Sequence, residues 1–222
     1  MKQAHPQAVP QAPPQLPPPG ALESFFIFIS LMLVTQALGP LLMAGSSGDD
    51  ALGDSNPATL LSALLVYTIA FFLLGRRPGV AMETIRDNPL LLTVFLFPML
   101  SVIWSVDHGT SFRRCVALLM TGVYCVYIAR RLSPDEFLRR LLLALFVGGV
   151  LSLIFTLVDP AAAIEHSAIN NGSWKGVYGH KAILGRIAAV AVTVSVYVRP
   201  RFFWEQMMRW ATIAMTLLKL CF

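Results

Sequence analysis

The sequence predicts an all-α, polytopic membrane bundle with about six complete spans and a partial seventh. Three observations lead there. Of 222 residues, 56% are hydrophobic and only 13% are charged, where a water-soluble domain of this size carries roughly a quarter charged residues. The mean hydropathy is +0.66, and long apolar runs alternate with short polar stretches. Within those runs, apolar and polar residues do not alternate at every second position, as outer-membrane strands require. The hydrocarbon core offers no water to backbone groups, so spans this apolar must be helices.

Residues 1–20 form a Pro/Gln-rich arm ending in Pro17-Pro18-Pro19-Gly20. Such a segment cannot bury a core and reads as a disordered tail, with partner binding as its alternative. Residues 21–222 are the membrane domain. The first span is expected from Ser24 to Ala44, followed by a loop holding Asp49, Asp50 and Asp54. The second runs from Ala58 to Gly75, and Arg76, Arg77 and Arg86 mark the loop after it. The third runs from Pro89 to Ser105, with Pro98 as a kink site, and the fourth from Phe112 to Ala129. Ser133-Pro134-Asp135-Glu136 reads as a short helix start. The fifth span is Leu141 to Val158, where Gly148-Gly149 permits close helix contact. A long loop, Asp159 to His180, leads to the sixth span, Lys181 to Val198. The last apolar piece, Trp210 to Phe222, is short for a span and carries Lys219. The chain therefore reads as stopping abruptly inside a seventh span.

The basic residues set the orientation. With the N-terminus in the cytoplasm, eleven lie inside (Lys2, the arginines at 76, 77 and 86, at 130, 131, 139 and 140, and at 199, 201 and 209) and five outside. The net charge of +5 and pI of 9.4 are thus a topology pattern. With no run of like charge longer than two, nucleic acid is not an expected partner. Cys115, Cys125 and Cys221 fall in expected spans without metal-ligand spacing. They read as small apolar residues, and neither metal nor cofactor is expected.

The five external basic residues, Arg113, Arg114, Lys175, Lys181 and Arg186, violate the topology rule, which makes them candidates for function. They belong to two segments. One is Trp104-Ser105-Val106-Asp107 with Ser111, Arg113 and Arg114. The other runs from Trp174 through Gly176-Val177-Tyr178-Gly179-His180-Lys181 to Leu184-Gly185-Arg186.

The second segment resembles the signature of the O-antigen ligase and polymerase superfamily, and most closely its exopolysaccharide-production (ExoQ-type) branch. That signature has a Trp, a Gly-aromatic pair, and His-Lys-Asn-x-Leu-Gly entering a span. Here Ala182 stands where the Asn is usual. The Trp-Ser-x-Asp segment is similar to the same branch, and the resemblance covers residues 24 to about 200. It implies a glycosyltransferase that polymerises or ligates sugars carried on a polyprenyl diphosphate, at the outer face of the bacterial cytoplasmic membrane. The bilayer and other polysaccharide-export components would be its partners. The family is about twice this length, and its large catalytic loop would lie in the half not present. The resemblance gives His180 a catalytic role, as base or hydrogen-bond donor. It makes Arg113, Arg114, Lys181 and Arg186 binding groups for the lipid diphosphate, because cations at the membrane surface stabilise that leaving group. Trp174 joins them as a sugar-binding residue.

Each residue also has a structural reading. Trp104 and Trp174 suit an interfacial belt, Arg113 and Arg114 can snorkel to headgroups, Asp107 suits a helix N-cap, Lys175 suits a solvated loop, and the loop glycines suit turns. Three rival functions stand beside the transferase. They are a metal-dependent transferase using Asp49, Asp50 and Asp54, a transporter subunit for a lipid-linked or anionic substrate, and a non-functional fragment.

Overall fold

The computed structural model describes residues 19–38, 57–76, 78–165, 172–178 and 180–221. Most of the expected N-terminal arm, Asp49, Asp50 and Asp54, Arg77 and Gly179 lie outside the described residues. The fold is all-α. Its helices are α1 (Ala21–Val34), α2 (Pro57–Gly75), α3 (Pro78–Asp87), α4 (Pro89–Ser101), α5 (His108–Arg131), α6 (Pro134–Val158), the single turn α7 (Pro160–Ala163), α8 (Lys181–Tyr197) and α9 (Phe203–Cys221). Short 3-10 turns occupy Val102–Trp104 and Gly176–Tyr178, and a two-residue ladder pairs Ile164 with Trp174 and Glu165 with Ser173.

Among the described residues two helices, α5 and α6, are long and apolar enough to cross a membrane, fewer than the six complete spans expected. The shortfall has local causes. α1 has 14 residues and rises only about 21 Å, against a hydrocarbon core of about 30 Å. It ends at Val34 instead of running on to Ala44, because Gln36 adopts φ 57°. The Gln36 amide donates to the Leu33 carbonyl and the Ala37 amide to that of Met32, the paired bonds of a Schellman stop. α4 is cut to 13 residues and passes into the 3-10 turn after Pro98. The Pro98 carbonyl accepts from Ser101 Oγ at 2.6 Å and from Cys115 Sγ at 3.1 Å. Cys115 is buried, but Cys125 is exposed, against the expectation of a packed apolar residue.

The Ser133 start is longer than expected. It opens α6 itself, through a reciprocal capping box with Glu136. The final helix begins at Phe203, seven positions before the expected Trp210, and packs on α8 and α6.

α1 is the central post. Ile27, Leu31 and Met32 meet Tyr124, Tyr127 and Ile128 of α5 and Ala144 of α6. α5 packs chiefly on α2, α3 and α4, and α6 on α1, α8 and α9. At one end of the bundle, charged clamps tie helix termini together. Arg131 pairs with Glu23, Arg130 lies 3.6 Å from Asp87, and Arg139 lies 3.7 Å from Glu205. That end collects the described arginines among those expected on the cytoplasmic side.

α9 has its polarity inverted. Glu205, Thr212 and Thr216 are buried, while Phe203, Met207, Trp210 and Leu217 are exposed. At 100° per residue those four apolar positions fall on one stripe. A helix with hydroxyls and a carboxylate inward and aromatics outward does not minimise free energy against water, whereas polar contacts between helices suit an apolar surround.

Candidate functional site

The two motif segments emerge at the bundle end opposite the charged clamps. The first is a capping turn. Asp107 Oδ1 accepts from the Thr110 amide at 3.1 Å and Oδ2 from the Thr110 hydroxyl at 2.6 Å. These bonds, with Arg113 nearby, hold the Asp107 carboxyl below its ordinary range. Ser105 Oγ lies 2.5 Å from Ser111 Oγ. Asp107 thus follows its structural reading. Trp104 is exposed, as are Arg113 and Arg114, whose side chains make no ion pair among the described residues.

The second segment docks the long loop onto α6 and then starts α8. Trp174 is held by the ladder to Ile164, and the Lys175 amide donates to the Ala163 carbonyl at 3.0 Å. Gly176 follows at φ 54°, and a Cβ there would stand 2.1 Å from Ser152 Oγ. Only glycine takes both that backbone and that approach cheaply. Tyr178 is buried with its hydroxyl against Gly148, where a Cβ would lie 3.1 Å from the phenol oxygen and 2.8 Å from Ala37 Cβ. Gly148 is therefore closely approached by Ala37, in the turn after α1, and by this loop, in place of the helix-to-helix contact expected. Burial pushes the Tyr178 phenol up to about 12. Val177, Tyr178 and Leu184 make a small core of their own.

His180 caps α8. Its Nδ1 accepts from the Ala182 amide at 3.1 Å, so in this geometry the proton of the neutral ring lies on Nε2. The imidazole is thereby a donor toward its surroundings. Lys181 and Arg186 follow, both exposed. Five positions apart, they are separated by about 140° around the helix, so they flank the α8 start instead of sharing one face.

Trp174, His180, Lys181 and Arg186 lie along one segment, in the loop before α8 and in its first turns. Arg113 and Arg114 stand at the same end on α5, in the half of the bundle that packs on α2, α3 and α4. Sequence reasoning missed Ser152, which is fully buried on α6 against Gly176. Its Oγ and Trp174 Nε1 are both buried and make no hydrogen bond among the described residues. A serine inside an apolar run was the available signal. Beneath the loop, Gly149, Tyr178, Leu184, Thr212 and Thr216 help line a cavity of about 20 Å³, room for one water at most.

The fold and this site define a helical bundle with at least two helices of membrane-crossing character and a cationic, histidine-capped helix start. The chain matches no protein-family model, no curated protein and no solved structure.

Proposed function

We propose that the chain acts in polysaccharide biosynthesis, binding a polyprenyl-diphosphate-linked oligosaccharide at the outer face of the bacterial cytoplasmic membrane, N-terminus inside. It would serve glycosyl transfer of the O-antigen ligase or polymerase type. The observation that carries this reading is the start of α8. There a capping histidine precedes exposed Lys181 and Arg186. A helix N-terminus with added cations favours a multiply charged anion, and a lipid diphosphate is such an anion at the membrane surface. The apolar exposed stripe of α9, with exposed leucines and phenylalanines on α2 and α4, supports more membrane crossings than those of α5 and α6 alone.

In the proposed step an acceptor hydroxyl oxygen bonds to the anomeric carbon. The bond from that carbon to the diphosphate oxygen breaks, and its electron pair leaves with the lipid diphosphate. The acceptor proton passes to a base. His180, with Nδ1 engaged, donates to a departing diphosphate oxygen, and Lys181 and Arg186 offset its charge.

The test is transfer in proteoliposomes loaded with the lipid-linked oligosaccharide. We expect release of lipid diphosphate with growth or ligation of the glycan. Lys181→Gln and Arg186→Gln should each lower the rate by roughly tenfold or more. Movement of the lipid-linked sugar across the bilayer without transfer would favour a transporter. Absence of any binding sinks the reading.

A further inference from the structure

We infer that the opposite end of the bundle carries a docking site for the headgroup of an anionic phospholipid, built by the turn into α9. The inference rests on the reading that the bundle lies in a membrane. The Arg139 guanidinium donates to the Arg199 carbonyl at 3.2 Å and lies 3.7 Å from Glu205 Oε1. Glu205 Oε2 accepts from the Arg201 amide at 2.7 Å. The one carboxylate in the segment is thus buried and engaged from within. Those bonds fix the backbone from Arg199 to Glu205 and leave the Arg199 and Arg201 side chains exposed.

Aromatic rings accompany the cations. Phe202 stacks on Trp204 with ring centroids 6.4 Å apart, and the Arg209 guanidinium lies 5.1 Å from the Trp210 ring. Phe202, Phe203, Trp204 and Trp210 are all more than half exposed. No carboxylate pairs with the side chains of Arg199, Arg201 or Arg209 among the described residues. The surface therefore joins three uncompensated guanidinium groups to aromatic rings at the end of an outward apolar stripe. Charge complementarity selects a phosphate-bearing headgroup, and the aromatics place it at the level where rings prefer the interface.

The test uses the full chain in nanodiscs of phosphatidylcholine with and without phosphatidylglycerol, reading bound lipid by native mass spectrometry. The wild type should enrich phosphatidylglycerol. The enrichment should fall on the order of fivefold for each of Arg199→Gln, Arg201→Gln and Arg209→Gln. Arg86→Gln, an exposed arginine outside this turn, should leave it unchanged. An equal fall in Arg86→Gln would show bulk charge attraction and overturn the site. Competition by inorganic phosphate at matched ionic strength would mean a soluble-phosphate site and overturn the bilayer docking. If the turn variants do not assemble, the wild type alone decides, because an absent preference for phosphatidylglycerol refutes the site. Failure of the wild type to enter any bilayer would instead sink the membrane reading beneath it.

Discussion

Arg131, at the end of α5, closes its guanidinium on both carboxylate oxygens of Glu23, in the first turn of α1, while the Tyr127 hydroxyl donates to the same carboxylate at 2.8 Å. The two side chains are only 13% and 20% exposed, so neither charge is well hydrated. One half-buried contact between residues far apart in sequence thus fixes the central post against the end of α5. Deeper along the same interface, Ser30 Oγ and the Tyr124 hydroxyl lie 2.7 Å apart.

Removing one partner strands the other charge. Glu23→Ala or Arg131→Ala should each lower stability by about 3 kcal/mol, read as a loss of thermal midpoint in detergent. The pair Glu23→Gln with Arg131→Met should recover part of that loss. Fully additive losses would show that the two charges are not coupled.

Gly176→Ala should loosen the long loop. The alanine would sit at positive φ with its Cβ 2.1 Å from Ser152 Oγ. Strain and overlap together should cost about 2 kcal/mol and expose residues near Trp174 to protease. Ser152→Gly in the same chain should relieve the overlap but not the backbone strain. Unchanged protease resistance in Gly176→Ala would contradict this docking.

Two groups give opposite pH signatures. The Asp107 carboxyl is held low, so its capping contribution is present above the ordinary carboxylate range and fades as pH falls through the lowered value. Asp107→Asn should flatten that acid limb while keeping a cap. The Tyr178 phenol is raised from 10.0 to about 12. Its contribution is complete below pH 10 and declines as pH climbs toward 12, because the unfolded chain releases the proton first. Tyr178→Phe should remove that alkaline slope in urea titrations. A slope identical to wild type would mean the phenol is not buried as described.

His180 has a capping duty and, on the proposed reading, a chemical one, and two substitutions separate them. Asparagine keeps an acceptor for the α8 amides and alanine does not. His180→Ala should therefore lower both stability, by about 1 kcal/mol, and transfer. His180→Asn should hold stability and still lower transfer. Equal transfer in His180→Asn and wild type would reduce the histidine to its cap.

The devices legible in the sequence were local. Ser133 and Glu136 sit three apart, which suffices to specify a capping box, and Asp107 with Thr110 is enough to specify an N-cap. The position of His180, immediately before an apolar run, marks a helix start whatever the rest of the chain does. The end of α1 was not legible, since glutamine is not the residue that ordinarily marks a left-handed stop and the apolar run continues past it. The early start of α9 was hidden by Arg199, Arg201 and Arg209, which read as a loop until Arg139 and Glu205 are seen to tie down the turn between them.

By itself, the sequence determined an all-helical chain, the α2, α5, α6 and α8 segments, and the end of the bundle to which the described arginines at the helix termini belong. Those properties follow from composition, period and nearest neighbours along the chain. Only the tertiary structure decided that α1 wedges between α5 and α6, that Tyr178 turns inward onto Gly148, and that Arg113 and Arg114 rise from a different half of the bundle than Lys181 and Arg186. Such contacts join residues tens of positions apart, and their energy depends on shape and burial that no local pattern encodes.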